Sequence, residues 1–343
     1  MKKVIVTSAG GPCAENAIQS LRLGTKLFVI GTDVDKYMIK LSSADEKRIV
    51  HRADSATDMY IADLNKIAKL YKASMLIPIS DREIYVCALN RGKLPPMTLP
   101  SKDIILLCRD KGGFYQFLKD YGFPVPPFKT GIAYWNVEKF KFDFPAWVRA
   151  VVGAGGYLSR KVNNLEELKA WLLLNKKKKF MVAKYLDGRI LCWTSLWKDG
   201  ELIMSVLKER LRWVYNRIGT TAVQRTIYNS SISKICEEII KTMIDIYEPD
   251  MTGLMMMDLK EDIGTGQVYP TEVNAGRTGT VSLWFGLASQ REYGDQRANF
   301  WYQLFRIHHG LKPLPTSKNP LPPNYYYIRH IDMGHKLEKI ENV

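Results

Sequence analysis

The sequence predicts an α/β domain with an open parallel sheet, followed by an α+β region in which two layers face each other. The first part of this prediction rests on the start of the chain, where a short apolar run, a glycine turn, a helical pattern and a second apolar run follow in order. This strand–helix–strand order is typical of a parallel sheet. The second part rests on two later pairs of strand-like segments, each joined by a turn, with a helical pattern between the pairs.

The elements of the first domain are short apolar runs that alternate with amphipathic helical patterns. Runs of roughly four to eight apolar residues between turn residues fit buried strands. The predicted strands are Val4–Val6, Leu27–Ile30, Met75–Ile79 and Ile104–Leu107, and the predicted helices are Ala14–Leu23 and Met59–Tyr71. We expect this domain to cover residues 1–106.

The chain after residue 106 is predicted to form two groups of helices and strands, followed by a tail. The first contains helices Lys111–Tyr121 and Leu165–Leu174 and strands Pro145–Val151, Arg160–Val162 and Phe180–Leu186. The second contains the strand pair Leu191–Trp197 and Glu201–Val206, the helix Ile232–Tyr247, and the strand pair Met255–Leu259 and Gln267–Val273. Proline is frequent and periodicity is absent from Leu311 to Pro323, so we expect 311–343 to be a proline-rich tail.

The composition excludes several classes of protein. The 343 residues are 46% apolar and 25% charged, as in an ordinary globular protein. The 5 cysteines are scattered and form no CxxC pair, which argues against a disulfide framework or a cysteine zinc site and favours a reducing compartment. No apolar stretch approaches the roughly 18 residues of a membrane-spanning helix. We therefore expect a cytoplasmic protein without a membrane partner.

The net charge is the unusual feature of the composition. The 50 lysines and arginines exceed the 35 aspartates and glutamates, which gives +15. Such an excess favours an anionic partner, a class that includes nucleotides, nucleic acids and acidic metabolites. Basic and aromatic residues alternate in Arg210–Arg217, a pattern that fits nucleic-acid binding and equally a loop that gates a substrate. We expect the lysine run 176–179 to be solvated.

The glycines Gly10 and Gly11 lie at the first predicted strand-to-helix turn. Backbone amides at a helix N-terminus attract anions, so these glycines are candidates for substrate binding. Asp33 ends the second strand about 20 residues further on, where a dinucleotide-binding fold places its ribose-binding acid. Pro12 and Cys13 interrupt the GxGxxG pattern, however, and a tight turn without a ligand explains the same residues.

A second candidate site combines Lys111, Arg149 and the glycines Gly153, Gly155 and Gly156. Lys111 opens a helix, and Arg149 lies within an otherwise apolar strand that leads into the glycines. Basic side chains beside a glycine-rich loop can bind phosphate, and arginine does so with two parallel hydrogen bonds. A solvated lysine, an edge arginine and a plain hairpin tip are the alternatives.

The third candidate site is formed by Asp258, Glu272 and Asn274. Glu272 and Asn274 are two residues apart on one predicted strand and therefore project from one face, and Asp258 lies on the strand paired with it. Such oxygen ligands suit Mg²⁺, which is usually shared with substrate phosphates. Arg277 follows closely and could neutralise charge on a transferred group. A polar sheet face without a metal is the alternative.

Together these segments resemble the ATP-grasp superfamily, most closely the synthetase halves of the carbamoyl-phosphate synthase large chain and the biotin-carboxylase-like ligases. The resemblance covers roughly residues 1–310. It implies a pre-ATP-grasp domain over 1–106, and an ATP-grasp fold whose small and large subdomains span 107–183 and 184–310. It also implies that Lys111, Arg149 and the 153–156 loop hold nucleotide phosphates.

The resemblance extends to two further motifs. Val182–Gly188 is similar to the hinge that holds adenine, so Ala183, Lys184, Tyr185 and Leu186 are implied to bind the nucleotide. Asp258 and the Glu272-Val273-Asn274 sequence resemble the magnesium hairpin, with Arg277 as the family arginine that stabilises an acyl phosphate. The sequence departs from the family at Ala183 and Ile190, where glutamates are usual, and it has one extra residue before Arg277.

The resemblance implies an ATP- and Mg²⁺-dependent ligase, with Mn²⁺ as an alternative metal, that activates a carboxylate as an acyl phosphate for attack by an amine. It also implies small-molecule substrates and a homodimer paired through the first domain. The main alternative is a module that kept the fold, lost the chemistry and senses a nucleotide or binds nucleic acid. A dinucleotide-dependent oxidoreductase, based on Gly10, Gly11 and Asp33, is the third hypothesis.

Overall fold

The computed structural model describes residues 1–153, 156, 158–176, 178–214, 221–279, 282–330 and 334–339. Its N-terminal part is a parallel sheet, as the sequence predicts, and the order of its strands is β3-β2-β1-β4. The strands are β1 (Lys2–Val6), β2 (Leu27–Asp33), β3 (Glu46–Ile49) and β4 (Met75–Ile77), and the helices are α1 (Pro12–Gly24), α2 (Thr57–Tyr71) and α3 (Asp81–Leu89). Of these elements, the half-exposed edge strand β3 and the helix α3 were not predicted.

Residues 102–109 form a helix, so the predicted strand Ile104–Leu107 is wrong. The hydroxyl oxygen of Ser101 accepts a hydrogen bond from the Ile104 N–H at 3.4 Å and caps the helix. Ile104, Ile105 and Cys108 are buried along one side, a helical spacing that a short apolar run conceals. This helix, α4 (Lys102–Arg109), leads directly into α5 (Lys111–Asp120).

The middle of the chain forms an antiparallel sheet in the order β5-β8-β6-β7. Its elements are β5 (Phe128–Ile132), β6 (Ala146–Ala150), β7 (Ser159–Val162), α6 (Leu165–Leu174) and β8 (Phe180–Lys184). Alternate residues of β6 and β8 face opposite sides of this sheet. Val148 and Val182 pack toward α6, whereas Met181 and Ala183 belong to the core that includes the next sheet.

The third sheet is also antiparallel and has the order β13-β12-β9-β10-β11-β14-β15. Its strands are β9 (Ile190–Lys198), β10 (Glu201–Trp213), β11 (Thr221–Thr226), β12 (Gly253–Glu261), β13 (Val268–Ala275), β14 (Tyr325–His330) and β15 (Gly334–Lys339). The helices of this region are α7 (Ser230–Tyr247), α8 (Ser282–Tyr293) and α9 (Phe300–His308). Both predicted hairpins, β9–β10 and β12–β13, are confirmed.

Strands β14 and β15 lie within the segment expected to be a tail. In β14, Tyr325 and Tyr327 are 0% and 1% exposed, and the Tyr327 ring stacks on Trp284 at 5.8 Å between centroids. This strand pairs with β11 and therefore extends the large sheet. Among the described residues, none of the helices has both the length and the apolar composition needed to cross a membrane.

Candidate active site

The candidate site is built on the β12–β13 hairpin. Asp258 lies directly opposite Glu272 in the antiparallel pair, so the two carboxylates are on the same face of the sheet. Asn274 lies two residues after Glu272 and shares that face. The hairpin therefore brings together the three oxygen donors that the sequence singles out.

Two cations from other elements flank Glu272. The Lys111 Nζ and Arg149 Nη1 atoms each lie 3.6 Å from Glu272 Oε2. Lys111 begins α5, whose first turn is capped by the carboxylate of Asp110. Lys111 Nζ also donates a hydrogen bond to the Gly153 carbonyl at 2.6 Å, so this lysine links the hairpin to the glycine segment.

Arg149 is held in position by three further contacts. Its Nη2 atom donates to the Thr271 carbonyl at 2.6 Å, its Nε contacts the Met181 sulfur, and its guanidinium lies 5.2 Å from the centre of the Tyr115 ring. The side chain is 8% exposed. A buried guanidinium with this many contacts is a fixed donor rather than a solvated edge residue.

The charges of this cluster shift one another's pKa values. Burial raises the pKa of Glu272, but Lys111, Arg149 and Arg277 outweigh burial and hold that pKa below its ordinary value. Burial lowers the pKa of Lys111, and the opposing effect of Glu272 does not restore it. Burial raises the pKa of Asp258, although a neighbouring arginine opposes the rise. The site thus combines an ionised Glu272 with closely spaced cations.

Two basic residues on β10 also belong to the site, of which the sequence analysis missed Lys208 and assigned Arg210 to a different segment. Arg210 Nη2 lies 2.6 Å from Asp258 Oδ1, and Lys208 is only 1% exposed. Lys208 pairs with Cys192, and Cys192 pairs with Asp258, so these side chains form one row on the site face of the sheet. Burial lowers the pKa of Lys208. The two-residue spacing of Lys208 and Arg210 was the available signal.

Arg277 lies just after β13, next to the metal-binding candidates of the hairpin. Its Nη2 atom donates to the Asn274 side-chain oxygen. A small cavity brings this arginine together with the residues predicted to bind phosphate and metal. Its lining includes Lys111, Gly153, Glu272, Asn274 and Arg277, together with Asp81 and Arg109 from the N-terminal part of the chain.

The donor set of the hairpin fits a hard divalent cation. Two carboxylates and one amide oxygen on one sheet face are the ligands that Mg²⁺ and Mn²⁺ prefer when phosphate oxygens complete the coordination. Within the described ranges there is no cluster of three or more His, Cys, Asp and Glu residues that could hold a metal by itself. Asp258, Glu272 and Asn274 therefore fit a metal shared with a substrate rather than a metal cage made of protein alone.

The predicted hinge connects the two antiparallel sheets. Ala183 pairs with Trp147, and the N–H groups of Lys184 and Tyr185 donate to the carbonyls of Pro127 and Pro145 at 2.9 and 3.3 Å. Lys184 forms an ion pair with Asp262 in the β12–β13 turn. Leu186 is buried.

An aromatic and cationic cluster lies beside the hinge. The Tyr185 ring lies 6.2 Å from the Trp147 ring, and Lys161 Nζ and Lys260 Nζ each lie 4.7 Å from the Tyr185 centroid. Trp147 and Arg149 are two residues apart on β6 and share a face. A base or ribose near Trp147 would therefore extend toward the phosphate-binding end of the site.

Hydrogen bonds within the N-terminal sheet explain the presence of Gly10 and Asp33 at the first glycine turn. The Gly10 N–H donates to Asp33 Oδ2 at 2.8 Å, and the Asp35 N–H donates to Asp33 Oδ1 at 2.9 Å. Both Asp33 oxygens thus stabilise loops of the N-terminal sheet, which favours the tight-turn interpretation over a ribose contact. Gly11 differs from Gly10 because it lines a cavity beside the site.

The glycine-rich segment is described in part. Gly153 accepts the hydrogen bond from Lys111, and Gly156 has a φ of +75°, a left-handed conformation that favours glycine. Gly155, which the sequence also places in the phosphate site, lies outside the described residues.

No protein-family model matches the sequence, and no curated protein matches it. Many solved structures do match the fold. N5-carboxyaminoimidazole synthetase from Staphylococcus aureus, complexed with ADP, superimposes with a TM-score of 0.74 over 100% of this chain and 94% of its own, at 16% identity.

Two other solved structures are similar to nearly the same extent. L-amino acid ligase from Bacillus licheniformis has a TM-score of 0.69 over 95% of this chain and 80% of its own, at 14% identity. Biotin carboxylase from Campylobacter jejuni has a TM-score of 0.69 over 95% of this chain and 74% of its own, at 17% identity. The protein therefore has the ATP-grasp fold, which the sequence motifs predicted.

Proposed function

We propose that this protein is an ATP- and Mg²⁺-dependent ligase that activates a substrate carboxylate as an acyl phosphate for attack by an amine. The observation that carries the proposal is the position of Glu272, which lies opposite Asp258 and within 3.6 Å of both Lys111 and Arg149. Acidic and basic groups held this close suit a metal–polyphosphate complex, because the carboxylates can bind the metal and the cations can bind the phosphates. Similarity in fold to a synthetase complexed with ADP supports the same nucleotide.

The phosphates would be held by groups from three elements. Lys111 and Arg149 supply positive charge, and backbone groups of the glycine segment, including Gly153, Gly155 and Gly156, would surround the terminal phosphates. Because the Lys111 ammonium already contacts Gly153, it can pass from that carbonyl and Glu272 to a phosphate oxygen by a short movement. The nucleotide base would lie toward the hinge of Ala183, Lys184, Tyr185 and Leu186.

The metal would be held by Asp258, Glu272 and Asn274. Bound there, Mg²⁺ would supply positive charge that offsets the negative charge of the transferred phosphoryl group. The protein's own residues orient this donor set, since Arg210 fixes Asp258 and Arg277 fixes Asn274.

The chemical steps require positioning rather than a protein nucleophile. A carboxylate oxygen of the substrate attacks the γ-phosphorus, the bond to the β-phosphate oxygen breaks, and ADP leaves. The amine then attacks the acyl carbon, phosphate departs with the former carboxylate oxygen, and the nitrogen loses a proton. Arg277 would stabilise the acyl phosphate, and the buried surroundings would strengthen each of these charge interactions.

The proposal is tested by calorimetric titration of the purified protein with ATP in the presence of Mg²⁺. We expect wild-type protein to bind, and Arg149→Met to bind on the order of tenfold or more weakly, since a charge-assisted contact is lost. Arg160→Met is the matched control, because Arg160 lies on the neighbouring strand β7 opposite Val148 and stacks near Trp171 on the other face. No binding by wild-type protein, or equal weakening by both variants, would contradict the proposal.

A further inference from the structure

A second and larger cavity lies next to the small one. Its volume is about 430 Å³, and it shares Asp81, Arg109, Gly153 and Arg277 with the small cavity. It extends from there to the turn that follows β1 and to the start of α3, at the carboxyl ends of the parallel strands. In open α/β sheets this edge is where ligands bind. The shared wall means that a molecule in the larger cavity can reach the proposed phosphate site.

The lining of this cavity contains more basic than acidic residues. Three arginines, Arg82, Arg109 and Arg277, line it together with one acidic residue, Asp81. Arg109 pairs with Asp81 at 3.3 Å, and Arg82 forms an exposed ion pair at 2.6 Å with Asp54, which is outside the lining. An anion is the ligand that such a lining favours.

Two of these arginines differ in the cavities that they line. Arg277 belongs to both cavities and so marks the end where a carboxylate would meet the transferred phosphoryl group. Arg82 lines only the larger cavity, as do Ser8 and Ser80, whose hydroxyls donate to the Glu83 carboxylate at 2.6 and 2.7 Å. A ligand that contacted both arginines would pair best with an anionic group at each.

We propose that the substrate activated by this ligase is a small dianion, with one carboxylate at Arg277 and a second anionic group, either carboxylate or phosphate, at Arg82. This inference rests on the proposed function and identifies the substrate class of the same site. An anionic group at Arg82 would replace its exposed ion pair with Asp54, which is weak because solvent screens it, whereas an analogue with one charge leaves that contact with Arg82 unused.

The experiment measures phosphate release and thermal unfolding with ATP and Mg²⁺ present, across three groups of probes. Succinate, glutarate, L-aspartate and L-glutamate represent dicarboxylates, and phosphoglycolate and O-phospho-L-serine represent phosphorylated carboxylates. Butyrate, valerate, L-norvaline and L-glutamine are monocarboxylates of matched size. We expect at least one dianion to raise the melting temperature or stimulate phosphate release, and its singly charged analogue to do neither. Comparison of the dicarboxylates with the phosphorylated carboxylates shows whether the second anionic group is a carboxylate or a phosphate.

The variant Arg82→Ala tests the position of the second anionic group. Arg82 is 48% exposed and pairs with Asp54 at 2.6 Å, and Arg52 pairs with the same carboxylate at 2.8 Å. Arg52→Ala is therefore a matched control that removes the same kind of surface ion pair. We expect Arg82→Ala to raise the concentration of dianion needed for a half-maximal effect by roughly tenfold, and Arg52→Ala to leave it unchanged.

Three results would overturn the inference while leaving the proposed function intact. They are an equal response to monocarboxylates, an equal effect of the two arginine variants, and no response to any dianion in protein that binds ATP with Mg²⁺. Absence of ATP binding would instead remove the proposed function, and this inference with it.

Discussion

Replacement of Glu272 by glutamine is the most informative single change in the site. The substitution preserves shape and removes one negative charge that lies 3.6 Å from both Lys111 and Arg149. Without nucleotide, these two cations would face each other with no carboxylate between them. With nucleotide, they would both be available for phosphate, whereas the metal would lose a ligand.

The structure sets the size of the expected effects. Removing one partner of a buried ion pair costs about 3–5 kcal/mol, and the 29% exposure of the Glu272 side chain reduces this to about 2–3 kcal/mol of unfolding free energy. Release of one charge-assisted contact for phosphate corresponds to roughly tenfold tighter binding of metal-free ATP. Loss of the metal-binding carboxylate is expected to lower kcat on the order of 100-fold.

The assay combines chemical unfolding with ATP titrations performed with Mg²⁺ and with EDTA. Glu209→Gln is the matched control, because Glu209 lies on the same sheet and pairs with Arg225 at 2.8 Å, next to Lys208 on the opposite face. Both variants should lose stability, but only Glu272→Gln should bind metal-free ATP more tightly than wild type and lose its response to Mg²⁺. Unchanged Mg²⁺ dependence in Glu272→Gln would refute the reasoning.

Three further outcomes follow from the same contacts. Burial lowers the pKa of Lys111, so this side chain loses its charge at a pH below the ordinary lysine pKa of about 10.4, and the ATP affinity measured by titration should fall there. In that pH range the unfolded protein binds more protons than the folded protein. The contribution of Lys111 to the free energy of unfolding should therefore increase as pH rises. Tyr327→Ala removes a ring that is 1% exposed and should lower the free energy of unfolding in urea by about 3–5 kcal/mol, which would not occur if β14 were a detachable tail. Gly10→Ala places a Cβ 2.5 Å from the Met38 carbonyl carbon and should destabilise by about 1–3 kcal/mol, whereas Gly92→Ala, with nothing within 4 Å, should not; equal melting temperatures would contradict this.

Much of the fold was predictable because local patterns and tertiary structure agree. The first strand–turn–helix–strand unit needs only short-range signals, and the β12–β13 hairpin follows from two apolar strands around a glycine turn. The facing positions of Asp258 and Glu272 depended on that hairpin alone. For the same reason, the sequence alone groups Asp258, Glu272 and Asn274 as oxygen donors of one site.

The remaining errors have two causes, a helix cap that was overlooked and contacts between segments that are distant in sequence. Ile104–Leu107 has the apolar run of a strand, but the Ser101 cap and burial of one side make it helical. Strand β14 joins the large sheet by pairing with β11, which is far away in sequence, and the proline-rich stretch before β14 favoured a tail instead. Arg210 pairs with Asp258 across the sheet, which the alternation of basic and aromatic residues concealed.

The net charge is partly explained by these sites. Lys111, Arg149, Lys208, Arg210 and Arg277 lie around the two carboxylates of the hairpin, and Arg82 and Arg109 line the adjacent cavity. Such concentrations of positive charge suit a polyphosphate and an acidic small molecule. The proposed nucleotide chemistry would therefore account for the basic residues of the site.

The central claim is that a substrate carboxylate becomes an acyl phosphate. The most direct test supplies ATP, Mg²⁺, an amine donor and carboxylates labelled with ¹⁸O in every carboxyl oxygen, and analyses the released phosphate by mass spectrometry. The mechanism predicts one ¹⁸O atom in each phosphate molecule, because the carboxylate oxygen that attacks phosphorus stays with it. Phosphate release that carries no label from any carboxylate would show that water is the attacking group, and would contradict the account.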